Sequence, residues 1–349
     1  MIERIEIKNF KSIQEANFNL CPLNILTGTN SSGKSSIIQA ILLSSSLANP
    51  NDTLQSYLDD LGGIDQLLCV DSKERIFSIT STIDRQSYLT AFNRDSASFI
   101  GTSTTIPYPL VFEENLYYLS ANRIGQENFS KTHKNAKFGI QGEYLFGFYE
   151  KNQGNSIDPT IHKEIQKLGK VDPLLNTCVT FWFERILELD LKLSAQRIGT
   201  NIYSYYKDPH IGFDLTSYAL GAGVSYLAKI LIMGLSLKQG DIFIVENPEI
   251  HLHPKAISNL VEFFVTLANS GIQVILETHS EHIINKTRYL IYKNLLSPQE
   301  LCLLYRQRQE DFCQIHINQE GRYVDSEGNL SEFPRGFFDV DLKELLEMA

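Results

Sequence analysis

The sequence predicts an α/β fold: a buried parallel sheet fed by a phosphate-binding loop, with a β-rich N-terminal lobe and a helical second lobe. Three observations predict it. Leu23–Leu26 is a short apolar run followed by GTNSSGKS (Gly28–Ser35), and Ser35–Ala48 continues apolar and small at helical spacing. Ile242–Val245 and Gln273–Leu276 are continuous apolar runs, each followed by a glutamate, as expected of parallel strands buried on both faces. Ile2, Ile5 and Ile7 are interleaved with charged residues, the period of an amphipathic strand.

Strand, glycine-bracketed loop and helix in that order are the setting of a P-loop. Gly28 and Gly33 allow backbone angles that a side chain would forbid, so successive N–H groups can turn inward on an anion. Asn30, Ser31 and Ser32 lie within this cradle and Ser36 follows it. A helix beginning near Lys34 aims its unpaired amides and positive dipole end at the same point. Lys34 would reach the β- and γ-phosphates of a nucleotide, and the Ser35 hydroxyl would take a place on Mg²⁺.

The 349 residues suffice for one large domain or two lobes. A net charge of −10 argues against a surface basic everywhere, so nucleic-acid contact would need a local patch. Cys21, Cys69, Cys178, Cys302 and Cys313 form no C-x-x-C pair. That pattern fits reduced thiols in a cytoplasmic protein better than a disulfide frame or a zinc knuckle. Met1–Lys11 reads as an amphipathic strand and not as a signal peptide. No apolar run approaches membrane-spanning length.

Taken in order, a second strand is expected near Ala16–Leu20 and a third at Leu23–Thr27. Asn49–Gly63 reads as a connector with one short helix. Arg75–Ile83 and Gln86–Asn93 alternate polar and apolar residues as a hairpin does. Ser96–Pro109 reads as a loop and Leu110–Ser120 as a strand. Asn128–Gly139 holds Lys131, His133, Lys134 and Lys137 without an acid. A solvated loop and a phosphate-contacting patch both fit it. Thr160–Lys170 and Leu174–Leu193 read as helices, the second carrying the one tryptophan, Trp182. Tyr203–Tyr206 contains three tyrosines; buried strand aromatics are the default, with base stacking the alternative. The long middle of the chain shows no sustained heptads, which excludes coiled-coil arms.

The second half of the site begins at Asp241–His253, DIFIVENPEIHLH. Glu246 ends its strand where α/β sheets place ligands, and a carboxylate there can hold Mg²⁺ opposite Ser35. The next apolar strand ends in Glu277–Thr278–His279–Ser280, which sets His279 within reach of a γ-phosphate. Glu249, His251 and His253 could share one side of an extended segment, but no fourth zinc ligand accompanies them.

These residues carry a resemblance. The P-loop, ENPEIHLHP (Glu246–Pro254) and ETHSEH (Glu277–His282) resemble ABC-type ATPases of the SMC and OLD (overcoming-lysogenization-defect) group, often grouped as AAA-family ATPases. LGAGVSY (Leu220–Tyr226) looks like a divergent form of their signature motif, with Tyr226 where relatives more often have glutamine. NFKS (Asn9–Ser12) and YLSANR (Tyr118–Arg123) are also similar. FPRGFFDVDL (Phe333–Leu342) resembles the short C-terminal module of one bacterial branch.

The resemblance implies one ABC-type head over residues 1–349. Its parts would be a β-rich lobe with the P-loop (1–120), an inserted helical lobe (121–219), a signature-to-histidine segment (220–318) and the C-terminal module (319–349). It implies ATP and Mg²⁺ as cofactors and a head-to-tail homodimer with ATP between one P-loop and the partner's signature. Gly221, Gly223 and Ser225 would then act in trans, His279 would be the switch histidine, and His251 would face the partner. Asn247 stands where most ABC proteins have the catalytic glutamate, and an amide cannot accept a proton from water. Either Glu249 is the base, or hydrolysis is slow and ATP chiefly locks the dimer. Some OLD relatives carry a C-terminal nuclease module, and Asp339–Asp341 has the spacing of part of it. The chain after Ser280 is too short for that module, so no intrinsic nuclease is expected.

The expected function is therefore an ATP-dependent switch controlling an effector protein, a nuclease or toxin, in bacterial anti-phage defence. The alternative is a DNA-binding clamp ATPase in repair. A P-loop kinase is a weaker third reading, since it leaves the signature and His279 without a role.

Overall fold

Alternation decides the first sheet. A computed structural model describes residues 1–62, 64–69, 72–96, 98–100, 108–134, 136–308 and 310–334. In Ile2–Phe10 (β1) and Ile13–Asn19 (β2) the buried residues Ile5, Ile7, Ala16 and Phe18 alternate with exposed or half-buried polar residues, and the strands pair antiparallel with Ile5 opposite Phe18. Leu23–Gly28 (β3) is buried at every position and leads through the glycine loop into Lys34–Ala48 (α1), then Asp52–Asp60 (α2). Ile76–Ile83 (β4) and Gln86–Asn93 (β5) form the expected hairpin, and β4 pairs with β1. Ser98–Ile100 (β6) adds a third strand where a loop was expected; residues 101–107 lie outside the described ones.

Only Leu116–Leu119 (β7) of the strand expected over Leu110–Ser120 forms. The Asn115 side chain instead binds Val111 N and Pro109 O, closing a turn before it. The second lobe holds Leu145–Asn152 (α3), Pro159–Gln166 (α4) and Leu175–Leu187 (α5). It also holds a three-stranded antiparallel sheet, of which the sequence reading anticipated strand only at Tyr203–Tyr206. Its strands are Phe129–Ser130 (β8), Lys192–Ile198 (β9) and Asn201–Lys207 (β10), in the order β8-β10-β9. Helix α5 stops short of Leu193 because Glu188 takes a left-handed backbone (φ 59°) and turns the chain into β9. Along β10 the tyrosines split: Tyr206 is fully buried, while Tyr203 and Tyr205 stack on the opposite face.

Ala222–Leu235 (α6), Ile242–Glu246 (β11), Pro254–Asn269 (α7), Gln273–Glu277 (β12), Glu281–Tyr292 (α8), Leu301–Arg306 (β13), Cys313–Ile317 (β14) and Tyr323–Val324 (β15) complete the chain. The central sheet runs β15-β14-β13-β3-β12-β11-β7, with the five strands from β13 to β7 parallel. Because strand residues alternate, its two faces serve two cores. Ile242, Ile244 and Ile275 pack under α1 and the N-terminal sheet, while Phe243, Val245 and Val274 pack against α5, α6 and α7. Phe333 packs on Tyr305 and Tyr323; the rest of the Phe333–Leu342 motif beyond Pro334, with Asp339–Asp341, lies outside the described residues.

Candidate functional site

The loop after β3 is shaped by three left-handed residues: Gly28 (φ 136°), Ser31 (φ 58°) and Gly33 (φ 94°). A Cβ on Gly28 would collide with the Arg306 carbonyl oxygen, so glycine is required there. Helix α1 starts at Gly33 without a side-chain cap and without an acid in its first turn, leaving its leading amides to an anion. Lys34 is 3% exposed, and its Nζ donates to the carbonyls of Gly28 (3.1 Å) and Thr29 (2.8 Å). Burial lowers its pKa and the Glu277 carboxylate opposes that shift. Ser32 Oγ is buried with no partner, Asn30 and Ser31 are exposed at the loop tip, and Ser36 is buried.

The acids are arranged differently from the sequence expectation, which set Glu246 opposite Ser35. Strand β12 lies between β3 and β11, so Glu277 is the acid that Ser35 meets. Ser35 Oγ donates to Glu277 Oε1 at 2.9 Å, and Glu246 is the register partner of Glu277 one strand further on. Glu246 Oε2 accepts from Ala121 N at 3.1 Å. Burial, then the neighbouring Glu246 charge, pushes the Glu277 carboxyl up to about 7, and burial also raises Glu246. Glu277 Oε2 is buried without a partner. One hydroxyl and two carboxylates form an oxygen donor set suited to Mg²⁺, and the orphaned oxygen and paired acids fit a cation. Among the described residues no three His, Cys, Asp or Glu are placed to hold one metal ion by themselves. His253 instead caps α7, and the His251 ring packs 4.9 Å from that of Tyr226.

His279 follows two residues after β12, with its pKa lowered by burial and then by Lys34, against an opposing pull from the Gly28 backbone. Glu249 Oε1 accepts from Thr278 Oγ1 and from His279 N, both at 2.8 Å, and its Oε2 is buried without a partner. Asn247 adopts a left-handed backbone (φ 43°), a conformation asparagine takes up more readily than glutamate. Arg123, 2% exposed, donates to the carbonyls of Glu246 and Asn247 (both 2.8 Å) and lies 5.2 Å over the Tyr226 ring.

The signature stretch corrects one sequence expectation. Gly221 caps α6 and is exposed, but Gly223 is pressed against the His251 carbonyl and Ser225 is 1% exposed. The Ser225 side chain points into the protein, so only Gly221 and the uncapped amides after it are presented outward. Sequence reading also left Glu277, Arg123 and Arg306 without roles. Glu277 and Arg123 sit inside motifs it quoted, but only strand order and register reveal what they touch. In the Asn128–Gly139 loop, Lys137 Nζ is tied to the Glu113 carbonyl (2.7 Å) and His133 stacks on Tyr144, which weakens a phosphate-patch reading.

Comparison with known proteins bears on the family and the fold. Residues 23–285 match the family described as "AAA domain, putative AbiEii toxin, Type IV TA system". Residues 296–348 match a family of unknown function, DUF3696. The chain is 25% identical over 351 residues to the Old nuclease of Escherichia phage P2, an alignment covering 80% of the chain and 56% of that relative. The chain thus spans about half of the curated relative's length. In fold it resembles an SMC head bound to the C-winged helix domain of ScpA (TM-score 0.55, 12% identity, 91% of this chain and 97% of that one). It also resembles an SMC head with an extended coiled coil bound to the C-terminal domain of ScpA derived from Pyrococcus furiosus (TM-score 0.53, 11% identity, 99% of each chain). Among the described residues no helix is long and apolar enough to cross a membrane.

Proposed function

The chain belongs to the AAA-domain family matching residues 23–285 and is an ATPase of the ABC-type, SMC/OLD-like kind; from that premise we propose that it is a molecular switch whose heads close as a head-to-tail dimer on ATP and reopen on hydrolysis. The closed form controls an effector protein, a nuclease or toxin, in bacterial anti-phage defence. One observation carries the reading: Lys34, Ser35, Glu277, Glu246 and His279 gather at the ends of three adjacent parallel strands.

Lys34 exchanges its two loop carbonyls for phosphate oxygens, a charge-assisted contact stronger than either. Ser35, Glu277 and Glu246 hold Mg²⁺, which neutralises charge on the phosphates. His279 and Glu249 move as one unit, since the His279 amide is bound to the Glu249 carboxylate. The free Glu249 Oε2 accepts the proton that Asn247 cannot. The uncapped start of α6 at Gly221 faces the partner's nucleotide. Arg123 ties the Glu246 strand end to Tyr226 on α6, giving hydrolysis a direct mechanical link to the signature helix. Relatives named for a toxin system and a nuclease support the effector-linked role.

Phosphate release and DNA cleavage measured on one purified preparation test the reading. Wild type should release phosphate slowly and leave DNA intact, Lys34→Ala should release no phosphate, and Glu246→Gln should bind ATP but turn over poorly. Equal phosphate release by wild type and Lys34→Ala contradicts it, and Mg²⁺-dependent DNA cleavage favours a nuclease.

A further inference from the structure

Strand β13, within the stretch matching the family of unknown function, lies alongside the phosphate-binding loop. Arg306 is the register partner of Gly28, Thr29 N donates to Arg306 O (3.2 Å), and Arg308 N donates to Thr29 Oγ1 (3.0 Å). The Arg306 side chain turns back toward the start of α1. Its Nε donates to Glu310 O (2.6 Å), its Nη2 donates to Ser12 O (2.9 Å), and the guanidinium lies 4.8 Å over the Phe312 ring. Those contacts aim the remaining nitrogen. Nη1 is buried with no partner, on a residue 8% exposed, and a Cβ on Gly33 would lie 2.8 Å from it.

Beside this nitrogen opens a cavity of about 550 Å³ whose walls include Lys11, Ser12, Ser32, Cys69, Arg306 and, as an acid whose charge also acts on the guanidinium, Asp311. That volume falls in the roughly 300–1,000 Å³ range of small-molecule pockets. Ser32 Oγ, a second buried donor without a partner, comes from the same wall. Lys11 adds a cation, held by Gln39 of α1 (2.8 Å). If Arg306 only tied Ser12 to Glu310, Nε and Nη2 would suffice, and Nη1 would be a charged donor left buried and unpaired. Such a group is destabilising unless something else occupies it.

Resting on the nucleotide-binding reading above, we propose that Arg306 is a nucleotide-positioning residue. Its Nη1, with Ser32 Oγ, donates to the phosphate nearest the nucleoside, and the cavity takes the nucleoside itself. A guanidinium fixed by two carbonyls presents its third donor at no reorganisation cost, the arrangement that favours arginine for phosphate. The C-terminal stretch thereby completes the nucleotide site, sensing the part common to ATP and ADP while Lys34 senses the far phosphates.

Equilibrium titration of ATP and ADP into wild type, Arg306→Gln and Lys34→Ala tests this, with thermal melting of each variant without nucleotide. Arg306→Gln should weaken ATP and ADP equally, by about tenfold or more, whereas Lys34→Ala should penalise ATP more than ADP. Unchanged affinity of Arg306→Gln, or a loss confined to ATP, overturns the role of Arg306 while a Lys34→Ala loss leaves the nucleotide reading standing. If Lys34→Ala also binds ATP as wild type does, the nucleotide reading itself fails. Should Arg306→Gln not fold, Arg306→Lys supplies the same ratio. An equal loss for both nucleotides supports the proposal, and no loss or an ATP-only loss overturns it.

Discussion

The loop after β3 and the start of α6 are both glycine-containing motifs, and they are built in opposite ways. At the first, side chains reach inward to a shared site: Lys34, Ser35 and Ser32 are buried or half-buried around it, and Glu277 answers from the next strand. At the second, side chains turn away from the outer face. Ser225 is buried, Gly223 is pressed on His251, and Gly221 leaves bare backbone exposed. In the proposed dimer, one side of the site would work through side-chain charge and the other through amides and close approach. Substitutions should therefore damage the two for different reasons.

The largest effect is expected at Ser225. An arginine there would bury a charge with no partner, at a cost on the order of several kcal/mol, so Ser225→Arg should lower the melting temperature sharply or prevent folding. A stable, well-folded Ser225→Arg would mean that the side chain is free to turn outward. Next comes the acid pair. Above its ordinary 4.5 the unfolded Glu277 releases its proton, while the folded protein keeps it to about 7. The folded state then binds more protons, so stability falls as pH rises between those values and levels off above. The unfolding free energy of nucleotide-free protein in EDTA, read from urea titration, should drop from pH 5 to pH 7 by on the order of 3 kcal/mol at most. Glu277→Gln should flatten that fall, and a variant with the wild-type slope would show that Glu277 titrates normally.

Smaller effects sharpen the second region. Gly223→Ala must displace the His251 carbonyl and should cost about 1–3 kcal/mol, read as a lower urea midpoint. Gly221→Ala has open space around its Cβ and should stay within about 0.5 kcal/mol of wild type. If the two glycines prove equally tolerant, the packing of α6 on the His251 loop is wrong.

Legibility in the sequence followed how local the determinant was. The phosphate loop was readable because strand, glycines, Lys34 and helix lie within a few residues of one another. Glu277 was visible as a letter, but its contact with Ser35 depends on β12 inserting between β3 and β11. Arg306 reaches Gly28 through a register spanning most of the chain. The inward turn of Ser225 was hidden for a different reason: α6 is buried nearly all round from Gly223 to Leu235, so no apolar stripe marks its phase. The early end of α5 had no glycine to announce it, because Glu188 takes the left-handed position itself.

The central claim, that ATP closes two heads across these unlike surfaces, is tested most directly by sedimentation velocity of the purified chain with Mg²⁺, with and without ATP. Wild type should shift from its 39.7 kDa monomer to twice that mass when ATP is saturating. Gly221→Arg should bind ATP in a parallel titration yet stay monomeric, because its fold is intact and its outer face is blocked. A wild type that binds ATP and remains monomeric at saturation, or a Gly221→Arg variant that dimerises as readily as wild type, would contradict the account.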